Sequence, residues 1–169
     1  GRYAYVSTYT SPAKVVVIDI SNPASPTRVG AVTLNAGENN AQITASGRYV
    51  YATTFTAQAS VVVIDVSNPA SPTRIGGVLL NAGEGYAQIE VAGRYAYVST
   101  WTAPAKLVVV DVSNPASPTR VGGMTFDTNE NSALSISLAG RYAYLSADTV
   151  PGKVLVADVS NPSSPVRVG

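Results

Sequence analysis

Residues 60–67 read Ser-Val-Val-Val-Ile-Asp-Val-Ser, an almost unbroken apolar run rich in β-branched side chains. A run this short predicts a strand covered on both faces. Just before it, residues 48–55 (RYVYATTF) alternate, with Tyr49 and Tyr51 on one face and Val50 and Ala52 on the other, the period of a second strand. Residues 41–46 (AQITAS) form a short strand ending at Gly47, and residues 73–81 (TRIGGVLLN) a fourth. Pro69 and Pro72 each lack an amide donor and hold φ near one value, so residues 68–72 are a connection, and residues 82–86 (AGEGY) turn into the next segment. No stretch shows apolar residues at i, i+3, i+4 and i+7, so no helix is predicted.

The same hydropathy pattern returns four times. SNPASPTRVG occupies 21–30, recurs with one Val-to-Ile change at 67–76, unchanged at 113–122, and as SNPSSPVRVG at 160–169. The marker GRYAY begins at Gly1, Gly93 and Gly140, and GRYVY at Gly47, giving spacings of 46, 46 and 47 residues. Four antiparallel strands in each such unit, covered on both faces, are the pattern of a β-propeller blade, with units at 1–34, 35–80, 81–126 and 127–169. A helical solenoid of this period would need amphipathic helices.

The apolar strand that ends in Asp and runs into Ser-Asn-Pro stands at 15–23 (VVVIDISNP), 61–69 (VVVIDVSNP) and 108–115 (VVVDVSNP), with the variant VLVADVSNP at 154–162. In these residues the chain closely resembles the LVIVD-repeat family of β-propellers, and the resemblance extends over all four units. It implies an all-β propeller that is extracellular or at the cell surface, with more blades than four as a rule and no shared catalytic residues.

If the strands of a blade are lettered A to D from the central channel outward, Gly1 opens strand B of the first blade and Gly169 falls inside strand D of the fourth. Fifteen strands are then expected where four full blades have sixteen, and the innermost strand of the first blade is the missing one. By phase the missing piece corresponds to residues 31–46, which hold the end of strand D, the connecting loop and strand A. Strand B of the first blade, residues 2–9, then presents an open edge at Tyr3, Tyr5 and Ser7. Each unpaired dry amide or carbonyl costs about 1–3 kcal/mol, so this edge is expected to assemble with something: the rest of a longer chain, another copy, or water in a wide channel. Two copies closing an eight-bladed ring, copies linked into an array or filament, and a self-contained four-bladed ring all satisfy the repeat.

Composition narrows the chemistry. The chain has no cysteine and no histidine, which removes disulfides, thiolate catalysis, the commonest general base and the commonest transition-metal ligand. Charged residues make up 12% of the sequence and the net charge is +1, with the cations scattered, so no field favours nucleic acid. No apolar run is long enough for a membrane helix, and membrane insertion is not expected. No phosphate-binding loop, nucleophile elbow or metalloprotease helix is present, and the chain is expected to be no enzyme.

Four candidate groups remain. Glu38, Glu84 and Glu130 recur in the loop from strand D to strand A, where converging carboxylates would take a hard cation such as Ca²⁺; alternatively each serves its own loop amides or a neighbouring Arg. Asp19, Asp65, Asp111 and Asp158 end every strand C and suit bonding to the following turn. All eight arginines keep to the repeat, which points to pairing with Asp between blades or to carbonyl contacts, and the repeated Tyr3/Tyr5 pairs point to packing between blades. Positions that break the repeat are Tyr9, Phe55, Trp101 and Asp148 after strand B, and Tyr86 where the first D-to-A loop has Asn40. Both loop sets leave the same face, so Tyr9, Phe55, Tyr86 and Trp101 form a candidate platform for carbohydrate or peptide, with ordinary loop packing as the alternative.

Overall fold

The computed structural model describes residues 1–169 and contains strands only. The first sheet holds β1 (Tyr3–Ser7), β2 (Lys14–Asp19) and β3 (Thr27–Thr33). The second holds β4 (Ala41–Ser46), β5 (Tyr49–Thr54), β6 (Ser60–Asp65) and β7 (Thr73–Leu79). The third holds β8 (Ala87–Ala92), β9 (Tyr95–Thr100), β10 (Lys106–Asp111) and β11 (Thr119–Thr125). The fourth holds β12 (Ala133–Ala139), β13 (Tyr142–Ala147), β14 (Lys153–Asp158) and β15 (Val166–Arg167). Every sheet is an antiparallel meander in chain order, and the first has three strands where the others have four.

Two irregularities place side chains. In each of the first three sheets the outermost strand pairs with its neighbour through a β-bulge, because Val29, Ile75 and Val121 have no partner across the ladder. The extra residue lets Arg74 and Gly76 face opposite neighbours although they are two apart. The second bulge is at Leu134 in β12, where Ala133 pairs Ala147 and Ser135 pairs Ser146. It absorbs the additional residue of the 47-residue spacing without disturbing the rest of the ladder.

The core lies between sheets. One apolar cluster joins the first and second (Val15 and Leu34 against Val50, Val62 and Ile64), another the second and third (Val61, Val63 and Leu80 against Val98, Val108 and Val110), and another the third and fourth (Leu107, Val109 and Phe126 against Leu145, Leu155 and Val159). Alternate side chains of one strand therefore serve different seams. Val62 and Ile64 look back while Val61 and Val63 look forward, which is why the run is apolar throughout. Neighbouring sheets approach most closely along β4, β8 and β12, as the inner strands of a propeller do. At each seam an outer-strand glycine meets the Ser-Asn-Pro corner of the next sheet: Gly30 faces Pro69, Gly76 faces Pro115 and Gly122 faces Pro162.

Four sheets with three seams make an open row, not a four-bladed ring. The forward face of the fourth sheet leaves Tyr144 at 38% and Val154 at 65% exposure, where the matching Tyr97 and Leu107 are at 5% and 0%. The backward face of the first leaves Val6 at 45%, where the matching Ala52 is at 0%.

Candidate functional site

The loops that lead into β4, β8 and β12 carry the three repeated glutamates, and all three are buried. Each carboxylate accepts from the amide three residues before it, Asn35, Asn81 and Asp127 respectively, at 2.8–3.1 Å. Each also takes a guanidinium from the outer strand of the sheet it introduces: Glu38 from Arg74 at 2.6 Å, Glu84 from Arg120 at 2.7 Å and Glu130 from Arg167 at 2.6 Å. Their backbone carbonyls accept from Ala13, Ala59 and Ala105 of the preceding sheet. The loop is thus fastened to both sheets. No group of three acidic side chains gathers closely enough to hold a metal ion. The carboxylates are engaged by arginines and loop amides, the contacts named in the second of the two alternatives drawn from the sequence.

The aspartates act locally. Asp19, Asp65, Asp111 and Asp158 each accept from the backbone amide two residues on, at 2.8–2.9 Å, and so hold the Ser-Asn-Pro corner. The first arginine of each unit pairs with the same aspartate: Arg2 with Asp19, Arg48 with Asp65, Arg94 with Asp111 and Arg141 with Asp158. This corrects the expectation of pairing between blades, because β1 and β2, and their counterparts, place both partners at one end of the same sheet. Each of these guanidiniums also lies 5.1–5.4 Å from the ring of the tyrosine that follows it. The hydrogen bonds from Arg48 and Ser67 hold Asp65 at about 2, and those from Arg94 and Ser113 do the same for Asp111, so these pairs stay ionised well into acid. Burial pushes Tyr51 and Tyr97 upward, consistent with rings packed inside the seams.

The aromatic positions come together. Phe55 stands between Tyr9, Tyr86 and Trp101, with ring centroids at 5.9, 4.9 and 5.5 Å. Tyr9, Tyr86 and Trp101 are 66%, 38% and 43% exposed, so three of the four rings face solvent. The backbone beneath is fixed by a repeated device. Asn40, Tyr86 and Ser132 all have φ of 50–54°, a left-handed conformation uncommon for side chains larger than Gly. The amide of each donates to the strand-B-to-C loop of the preceding sheet (Thr10, Thr56, Thr102), and the carbonyl of each accepts from Phe55, Trp101 or Asp148 of the following one. In the fourth sheet the aromatic row stops at Asp148, which lines an open cleft of about 470 Å³ with Asn129, Asn131, Thr149 and Lys153.

Repeated antiparallel meanders, three of them four-stranded, joined face to face by apolar seams, define a β-propeller repeat protein. More particularly, the chain belongs to the LVIVD repeat family, whose model matches residues 1–33, 39–79, 84–125 and 131–169. Among solved structures, the chain is similar to a hypothetical selenium-binding protein from Sulfolobus tokodaii, with TM-score 0.68 and 11% identity over 95% of this chain and 46% of that one. It is also similar to the computationally designed Ika8 protein, with TM-score 0.63 and 9% identity over 94% of this chain and 43% of that one. The chain spans less than half the length of either, and at these identities the likeness concerns the fold. No curated protein matches the sequence.

Proposed function

We propose that the chain is a non-enzymatic structural or adhesive scaffold, extracellular by the family resemblance, whose open row is continued by further blades into a ring, array or filament through its incomplete first blade. One observation carries this reading: the surfaces exposed at the two ends are the two halves of the interface that the chain buries three times inside itself. Tyr144, Val154 and Val156 correspond to Tyr97, Leu107 and Val109, and Val6, Val16 and Ile18 to Ala52, Val62 and Ile64. Gly169 corresponds to Gly30, Gly76 and Gly122, and nothing but the Val156 side chain, at 3.5 Å, lies near where its Cβ would be. A contact between unlike faces propagates head to tail, which closes a ring or runs into a fibre.

Sedimentation at micromolar concentration tests this. The wild-type chain is expected to run as two copies or more. Gly169→Ala, whose methyl would strike the Ser-Asn-Pro corner of an arriving blade, is expected to run as one copy, with a melting midpoint that no longer rises with concentration. A wild-type chain that stays single at every concentration overturns the reading.

A second reading is favoured by the aromatic row: a ligand-binding face for carbohydrate or peptide. Three exposed rings held around Phe55 by a fixed backbone present a rigid apolar platform edged by amides and hydroxyls. Trp101→Ala and Phe55→Ala are expected to lose retention on a glycan or peptide array while the melting midpoint barely moves; retention equal to wild type would remove this reading.

A further inference from the structure

Three rings and a cation gather over the seam between the second and third sheets, both of which have a neighbouring sheet of the chain on either face. Phe55 follows β5, Trp101 follows β9, and Tyr86 lies in the loop that crosses from one sheet to the other. The ring of Phe55 is tilted by 64° to that of Tyr86 and by 44° to that of Trp101. Rings set at such angles form a notch instead of a flat shelf, with half-buried Phe55 as its floor and exposed Tyr86 and Trp101 as its walls. Val108 and Val110 of β10 pack toward the second sheet, and Lys106 leans the same way, since a β-carbon on Gly83 would lie 3.4 Å from its Nζ. Glu84 closes on Arg120, which leaves this ammonium without an ion pair, whereas Lys153 at the last seam lies 4.0 Å from Glu130. The combination occurs once. At the first seam Asn40 and Ser60 stand in place of Tyr86 and Lys106, and at the last Ser132 and Asp148 stand in place of Tyr86 and Trp101.

The hydroxyls beside the rings are already engaged. Thr54 and Thr56, on either side of Phe55, bond to each other at 3.0 Å, while Thr54 accepts from the Ser60 amide and Thr56 donates to the Gln58 carbonyl. Thr100 and Thr102 repeat this around Trp101, with the Lys106 amide and the Pro104 carbonyl. The carboxylate of Glu84 is buried against Arg120 and the Asn81 amide. What the notch offers a ligand is therefore two aromatic walls and three groups that donate: the indole N–H of Trp101, the phenol of Tyr86 and the ammonium of Lys106.

We propose that this seam binds a proline-rich peptide segment in the polyproline II conformation that carries an acidic residue. Proline rings fill the notch, backbone carbonyls accept from the indole and the phenol, and the acidic side chain meets Lys106. Such a segment is rich in acceptors and poor in amide donors, the complement of what the notch presents, and it is extended before it binds. A sugar would bring many hydroxyl hydrogens to a place whose carboxylate is taken, and each one left unpaired on burial costs free energy. The inference rests on the ligand-binding reading and narrows it to one class.

The probe is a fluorescein-labelled peptide of sequence PPPPEPPPP, titrated into the full chain and followed by polarisation and by the emission of Trp101, the chain's one tryptophan. Saturable binding of one peptide per chain with a shift in that emission is expected. The peptide with Gln in place of Glu, and the chain carrying Lys106→Met, are each expected to bind about fivefold more weakly at low salt, with a gap that closes near about 1 M salt. Tyr86→Phe is expected to weaken binding by a similar factor, about fivefold, through the lost hydrogen bond. No saturable binding, or equal binding of the Glu and Gln peptides at low salt, overturns the proposal. A glycan and peptide array probed with the same chain separates the two ideas. Retention on glycans or on peptides without proline, with the probe unbound, sinks this inference alone, and retention on nothing sinks the ligand-binding reading with it.

Discussion

Gly76→Ala is expected to cripple folding by a single methyl. The β-carbon built there collides with the Pro115 carbonyl oxygen and comes to 2.9 Å from the Ala116 carbonyl carbon. These are backbone atoms on the neighbouring sheet, held by the corner that Asp111 fastens through Ser113, so no side-chain rotation relieves the contact. Either the seam opens, exposing part of the Val61, Val63 and Leu80 cluster, or the corner is distorted. The loss is expected to exceed about 4 kcal/mol, in the range that marks a named structural fault. For a chain of this length it lowers the melting midpoint by roughly 10 °C or more. Calorimetry of Gly76→Ala beside Gly169→Ala measures it. The same substitution at a site facing another sheet of the chain and at one facing no sheet of the chain separates the internal seam from any general effect of replacing glycine, and equal midpoints would refute the seam's role.

Arg120→Ala is expected to be the second costly change. It strands Glu84, whose side chain is 5% exposed, with only the Asn81 amide left to it. Removing one partner of a buried pair costs about 3–5 kcal/mol, and the 29% exposure of Arg120 places this case near the lower figure because water partly replaces the guanidinium. Arg120→Ala combined with Glu84→Gln is expected to recover much of the loss, since a neutral amide tolerates the site better than an unpaired charge. Urea denaturation of the three chains decides the matter: a double variant no more stable than Arg120→Ala would show that the arginine acts through packing and not through the charge it satisfies.

The strands and the seams could be read from the residues, because Val, Ile and Tyr at period two on either side of a fully apolar run leave few alternatives. The propeller class and the family followed from the same residues. Other features could not be read so directly. Ile75 sits inside an apolar stretch, where a bulge changes no visible pattern, yet it decides that Gly76 faces one neighbour and Arg74 the other. The extra residue of the last interval announced an insertion without locating it at Leu134. The left-handed turn at Asn40, Tyr86 and Ser132 carries no glycine to signal it. The pairing of Glu84 with Arg120 spans 36 residues and depends on how a loop returns across its own sheet. Which faces the chain leaves uncovered could not be read for a different reason: each unit is written as though it has a neighbour on both sides, and the exposed Val6, Tyr144 and Val154 emerge only from the coordinates.

That interchangeability has a consequence for heredity. Because Gly30, Gly76 and Gly122 meet the following corner in the same way, a gene segment encoding one unit can be copied or lost between two corners with the glycine-to-corner contact of each surviving joint kept. Such genes are free to lengthen and shorten by whole units under recombination, and the number of blades becomes a property of lineage history instead of a constraint imposed by the fold.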